Sequence, residues 1–158
     1  MRSRELEASD IDDLMDIVKR TGVFTDEEVI VARDVLEEAV LGPDQTNYRS
    51  LVALLDERVV GYILWGRTPM TRQAYDLYWM AVDPDMHGRG IGRSLVESME
   101  ALINAEGGGI VRVETSGLPE YAATRVFYER TGYAEHNRID DFYWPGNALC
   151  THVKVLVP

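Results

Sequence analysis

The sequence predicts a mixed α/β domain, an α+β arrangement of helices on a mixed sheet, and three observations carry that prediction. Strand-like and helix-like segments interleave in the order β-α-α-β-β-β-α-β-α-β-β. The chain has 158 residues, of which 46% are hydrophobic and 27% charged, the size and balance of one soluble domain with one core. Near its middle a strand passes through a glycine-rich loop straight into a helix. No repeat, low-complexity stretch or linker intervenes, so residues 1–158 read as a single domain.

A short strand over residues 2–7 opens the chain. Ser9 then reads as an N-cap, and Ile11, Leu14, Met15 and Val18 recur at helical spacing until Gly22 stops the helix. Thr25 followed by Glu28 is a capping-box pattern for a second helix, which runs to about Leu41 and is closed by Gly42 and Pro43. Asp26, Glu27, Asp34, Glu37 and Glu38 form its outer face. Residues 51–55 and 59–65 are strands joined by a tight turn at Asp56, Glu57 and Arg58. Residues 74–82 form a longer strand. On it Asp76, Tyr78, Met80 and Val82 point one way, and Leu77, Trp79 and Ala81 the other. The helix after the glycine-rich loop carries Ile91, Leu95, Met99 and Leu102 on one face and is broken by Gly107 to Gly109. A strand over 110–115 follows, then a helix over 119–131 with Pro119 near its start and Gly132 just past its end. Two closing strands, 133–139 and 149–157, flank a loop.

The net charge of −11 repels nucleic acid and anionic membrane surfaces; it would mildly attract cationic substrates such as amines, and the plainer reading is that it only keeps the protein soluble. The longest apolar stretch, about residues 59–65, is far short of a membrane span. One cysteine, Cys150, cannot form an internal disulfide, and no signal peptide is evident, so a cytoplasmic location is expected. His87, His136, His152 and Cys150 lack metal-ligand spacing, and no metal is expected. Cys150 lies in a strand-like run and reads as packed rather than nucleophilic.

The sharpest chemical signal is Val82-Asp83-Pro84-Asp85-Met86-His87-Gly88-Arg89-Gly90-Ile91-Gly92-Arg93-Ser94. A strand–loop–helix junction aims several backbone N–H groups at one spot, and the helix start adds partial positive charge. Glycines admit a bulky anion close to the backbone, and Arg89 and Arg93 supply further charge. This is the chemistry of a phosphate or pyrophosphate cradle; the plainer alternative is a helix start that merely needs flexible glycines. The dinucleotide fingerprint fails because Arg93 stands at its third glycine, and the Walker loop fails for want of Gly-Lys-Ser/Thr.

His87-Gly88-Arg89-Gly90-Ile91-Gly92 resembles the Gln/Arg-x-x-Gly-x-Gly/Ala hallmark of the GNAT superfamily of N-acyltransferases, with His87 in place of Gln or Arg. The flanking Met80 to Pro84 and Arg93 to Leu95 match as well. Downstream, Thr124 to Tyr133 resembles the family's helix with Tyr, Glu and a following Gly-Phe/Tyr, although Tyr121 replaces a frequent Asn. The resemblance covers essentially the whole chain. It implies a mostly antiparallel seven-stranded sheet whose fourth and fifth strands splay apart, flanked by about four helices. It implies acetyl-CoA as cosubstrate, with the pantetheine arm on the backbone of Met80, Ala81 and Val82. The pyrophosphate would lie on the loop from His87 to Ser94, and Ala123, Phe127 and Tyr128 would flank the cofactor.

The implied reaction is direct attack of a primary amine, on a small molecule or a peptide, upon the thioester in a ternary complex. Tyr128 is placed by motif position to serve the departing thiolate. Glu114 and Asp76 are the candidate bases, acting directly or through a water. Asp140 and Asp141, in the late loop that would border the acceptor, either hold a cationic substrate or, the plainer reading, belong to a solvated loop. The family's habit suggests a homodimer. Two other readings stay open: a non-catalytic acyl-CoA sensor, and an interaction domain without a cofactor.

Overall fold

The computed structural model describes residues 1–158. The elements are β1 (Arg2–Arg4), α1 (Ile11–Thr21), α2 (Asp26–Ala39), β2 (Arg49–Leu55), β3 (Arg58–Arg67), β4 (Ala74–Val82), α3 (Ile91–Ala105), β5 (Gly109–Ser116), α4 (Ala122–Arg130), β6 (Ala134–Trp144) and β7 (Asn147–Leu156). The strands form a seven-stranded sheet in the order β1-β2-β3-β4-β5-β7-β6. β4 and β5 are paired parallel; β1–β2, β2–β3, β5–β7 and β7–β6 are antiparallel. The β4–β5 ladder runs from Ala74↔Ile110 to Leu77↔Val113. The chain divides into two compact units, Met1–Gly66 with Trp79–Met99, and Arg67–Tyr78 with Glu100–Pro158.

In the first unit, α1 and α2 bury Leu14, Met15, Ile17, Val18, Ala32 and Leu36 in one cluster with Val52, Leu54, Tyr62, Leu64 and Ala81 of the strands. Full burial of a leucine such as Leu14 or Leu36 contributes roughly 1.5–3 kcal/mol. The α1 start differs from expectation. A 3-10 turn over Ala8–Asp10 precedes it, so Asp10 rather than Ser9 stands at the N-cap position, and its carboxylate closes the 3-10 turn instead of bonding into α1. The Asp10 carboxylate accepts the Glu7 N–H at 2.9 Å and both Arg4 guanidinium N–H groups at 2.7 and 2.8 Å. Ser9 lacks a carboxylate to meet that arginine. The α2 capping box is present as predicted: Thr25 Oγ1 accepts from the Glu28 N–H, and Glu28 Oε2 accepts from the Thr25 N–H. That helix ends at Ala39, two residues short of Leu41. The β2–β3 hairpin turns on Asp56 and Glu57, both at positive φ (49° and 61°), as a two-residue turn matched to strand twist requires.

In the second unit, β5 is covered over its full length by β7, from Gly109↔Leu156 to Ser116↔Leu149. Lys154 of β7 donates to both oxygens of Glu100 (2.9 and 2.7 Å) and to the Thr131 carbonyl (2.8 Å), tying α3 and the end of α4 to the sheet. The predicted helix over 119–131 splits into a 3-10 turn, Pro119–Tyr121, and α4 proper. Two expectations are corrected. The apolar face of α3 continues to Ile103, fully buried, while Leu102 is 39% exposed; residues 91, 95, 99 and 103 follow one i+4 row, and 102 falls off it. The late loop is also absent: β6 runs on to Trp144 and turns tightly at Pro145 and Gly146 into β7, so Asp140 and Asp141 lie on an edge strand. Its pairing is irregular between Ile139 and Trp144, where Asp141 has φ 56° and its carboxylate accepts the Gly146 N–H at 2.7 Å.

Candidate active site

The glycine loop belongs to the first unit and is built from the end of β4. Gly61 of β3 lets the neighbouring backbone come close: a Cβ there would stand 2.8 Å from the Ala81 carbonyl oxygen and 3.2 Å from Val82 Cα. Trp79 stacks on Phe24 at 5.2 Å between ring centroids. Beyond Val82, the Asp83 N–H donates to the Val60 carbonyl (2.9 Å), and the Asp83 side chain caps a 3-10 turn, Pro84–Met86, by accepting the Asp85 N–H (3.0 Å). His87 folds back, its Nε2 donating to the Val82 carbonyl at 3.1 Å. Where the resembled hallmark has Gln or Arg, this chain thus has a side chain that closes the loop on the strand it leaves.

Gly88 and Gly90 both have φ +77°, a left-handed conformation that L side chains rarely adopt. Both are exposed, and a Cβ on either would meet no protein atom within 4 Å. The first intrahelical bond of α3 is Ser94 N–H to the Gly90 carbonyl, so the N–H groups of Ile91, Gly92 and Arg93 have no acceptor within the helix. Three backbone donors, the positive end of a 15-residue helix and open space above two glycines suit a pyrophosphate. Arg89 and Arg93 are exposed, and Arg93 also reaches Glu97 at 3.3 Å.

The remaining candidates fall in the second unit. Tyr128 of α4 is buried, its ring in edge contact with Phe127 and Tyr133 (5.2 and 5.7 Å) and tilted against His152 (6.3 Å). Burial pushes its hydroxyl well above the ordinary tyrosine value, so it stays protonated and can donate. Phe127 is half-buried and Ala123 exposed on the same helix. Arg125 anchors that helix by donating to the carbonyls of Ser116 (2.6 Å) and Leu118 (3.0 Å).

Asp76 and Glu114 are not equivalent. Asp76 is nearly buried, and both its oxygens are engaged, one by Arg112 Nε at 2.7 Å and the other by Thr68 Oγ1 at 2.9 Å. Glu114 is 43% exposed at its side chain, with Arg112 at 3.7 Å. Arg112 therefore sits between the two carboxylates, a link that sequence inspection missed. Cross-strand register gives its signal, since Arg112 pairs with Asp76 across the parallel ladder. The Cys150 thiol is fully buried, accepts from Arg138 at 3.1 Å, and is pushed up by desolvation. No group of three or more His, Cys, Asp or Glu is arranged to hold a metal ion, and no helix is long and apolar enough to cross a membrane.

A model of the GNAT acetyltransferase domain matches residues 46–135. No curated protein matches the chain. Among solved structures, an acetyltransferase candidate of the GNAT family from Desulfovibrio desulfuricans is similar over 99% of both chains, at 32% identity and a TM-score of 0.93. An aminoglycoside 6'-N-acetyltransferase complexed with coenzyme A is similar over 100% of this chain and 98% of its own, at 18% identity and a TM-score of 0.77. The ribosomal-protein-S18-alanine N-acetyltransferase of Escherichia coli is similar over 99% and 94%, at 18% identity and a TM-score of 0.76. At that identity the last two speak for the fold alone.

Proposed function

The chain belongs to the GNAT acetyltransferase family, and on that premise we propose that it transfers an acetyl group from acetyl-CoA to a primary amine of a small molecule or peptide by direct attack in a ternary complex. The observation that carries this reading is the loop at Gly88 to Arg93, with two left-handed glycines and three helix N–H groups that have no acceptor within the helix. Those groups suit the coenzyme's pyrophosphate, and Arg89 and Arg93 add charge. The backbone of Met80, Ala81 and Val82 would hold the pantetheine arm and offer N–H donors to the tetrahedral oxyanion. An amine acceptor also agrees with the names of two proteins that share this fold, an aminoglycoside 6'-N-acetyltransferase complexed with coenzyme A and a ribosomal-protein-S18-alanine N-acetyltransferase.

In the reaction, the amine nitrogen bonds to the thioester carbon, the carbon–sulfur bond breaks, and the amine gives up a proton. An alkylamine of pKa about 10.4 is mostly charged at neutral pH and needs a base or a path for that proton. Glu114 is the better candidate, because its carboxylate is exposed while both oxygens of Asp76 are taken. Tyr128 stabilises the leaving thiolate by donating a hydrogen bond. A phenol with its pKa pushed up does not hand its proton to a thiolate whose conjugate acid lies near about 8.5.

The test is a thermal-shift titration with acetyl-CoA, with ADP and NAD as controls, followed by free-thiol release across a panel of amines. Ligand at a hundredfold above its Kd stabilises the folded state by about 2.7 kcal/mol, enough to read as a Tm rise. A rise specific to acetyl-CoA is expected, and none at millimolar ligand would overturn the proposal.

A further inference from the structure

We propose that Asp83, held between Arg20 and Arg58, is a positioning residue that sets the conformation of the coenzyme loop; the inference rests on the acetyl-CoA reading above. Asp83 is fully buried and stands at the point where β4 gives way to the loop. Its Oδ1 accepts from Arg20 at 3.0 Å and from the Asp85 N–H at 3.0 Å, and its Oδ2 accepts from Arg58 at 2.8 Å. One carboxylate thus joins α1, the start of β3 and the turn before Gly88. Arg20 itself is steered by Asp16 one helical turn earlier (2.8 Å) and reaches Asp85 at 3.2 Å. The backbone of Asp83 is fixed as well, its N–H on the Val60 carbonyl and its own carbonyl accepting from Met86.

A charge out of water is tolerated only while it is paired and hydrogen-bonded. With both guanidiniums in place, the carboxylate stays inside and the turn that launches the loop is fixed. Without them, the orphaned anion must be hydrated or protonated, and either change loosens its hold on the Asp85 N–H and so on the Pro84–Met86 turn. That displaces the segment leading to Gly88 and Gly90, whose backbone the cradle uses. Asp83 itself is buried beneath the loop and need not touch the coenzyme.

The test uses the full chain, with coenzyme A binding by calorimetry and steady-state kinetics with acetyl-CoA. Arg58→Ala is the mild variant, since its side chain is 58% exposed and its removal leaves Arg20 in place. The double variant Arg20→Ala/Arg58→Ala orphans the anion, and adding Asp83→Asn removes the orphaned charge while keeping an acceptor for the Asp85 N–H. The double variant should weaken coenzyme A binding and raise KM for acetyl-CoA by about tenfold or more, with kcat at saturation within about twofold. The triple variant should recover most of the lost affinity. Backbone hydrogen exchange over residues 84–90 should rise in the double variant and fall again in the triple. Wild-type affinity in the double variant, a loss carried by kcat alone, or a triple variant no better than the double would each overturn the inference. Failure of the wild type to bind coenzyme A overturns the acetyl-CoA reading, and the clamp's role with it.

Discussion

Replacing Gly61 with alanine should injure stability and coenzyme affinity together, through one added methyl group. The new Cβ would lie 2.8 Å from the Ala81 carbonyl oxygen, 3.2 Å from Val82 Cα and 3.3 Å from Val82 Cγ2. Two of those neighbours are β4 backbone, which cannot rotate away as a side-chain tip can. Strand β4 must therefore move by several tenths of an ångström, and overpacking of this kind costs about 1–3 kcal/mol. For a chain of this length that is a fall in Tm of about 2–12 °C. The displaced atoms belong to the backbone assigned to the pantetheine arm, so KM for acetyl-CoA should rise as well. Urea unfolding gives the first quantity and initial-rate kinetics the second. A variant destabilised by less than about 0.5 kcal/mol, with unchanged KM, would show that β4 does not depend on this close approach.

Gly90→Val should abolish coenzyme A binding in calorimetry while lowering Tm only modestly, because φ +77° strains the new residue but no protein atom stands near its Cβ. Tyr128→Phe should cut kcat at least about tenfold, the loss of one hydrogen bond to a charged group, with little change in acetyl-CoA affinity; equal turnover would remove Tyr128 from the chemistry. Glu114→Gln should lower kcat. Asp76→Asn should act mainly on stability, by weakening the contact with Arg112 and Thr68, and a larger kcat loss there than at Glu114 would reverse the assignment. Acid should destabilise the fold in two stages, followed by circular dichroism. His152, buried with its pKa held below 6.5 by desolvation, binds protons more readily unfolded, so its stabilisation is present above about pH 6.5 and is lost as pH falls toward its folded value. Asp10 and Asp83, held below the ordinary carboxylate value with Arg4 and Arg20 as partners, keep their contribution above about pH 4 and lose it further down. His152→Leu should remove the first stage only.

Local chemistry was the legible part of the sequence. The α2 capping box, the Asp56–Glu57 turn, the strand–glycine–helix junction and the Gly132 stop after α4 all follow from residues within a few positions of one another. The loop proposed to hold the coenzyme is local in the same way, because its chemistry is mostly backbone. What stayed hidden depends on distant partners. Ser9 looks like a cap until Arg4 is seen to hold Asp10. Asp83 reads as a strand terminator, and nothing local announces that Arg20 and Arg58 will meet it. Asp76 reads as a candidate base equal to Glu114 because Arg112, which occupies it, lies far along the chain and reaches it only through the parallel β4–β5 register. The extension of β6 was missed for a related reason. Asp140 and Asp141 are poor strand formers, held in an edge strand by the hairpin with β7 and by the bond from Gly146 to Asp141.

The burial of Cys150 has a practical consequence for measuring this protein. It is the chain's one cysteine, fully enclosed and with its thiol pushed up by desolvation, so thiolate-seeking reagents meet no reactive sulfur while the fold is intact. Colorimetric detection of released coenzyme A therefore starts from a protein that contributes no background, even at high enzyme concentration. The same residue becomes a label for opening. A maleimide that modifies Cys150 reports that β7 has come away from its neighbours, which makes one thiol both a silent bystander during turnover and a gauge of unfolding.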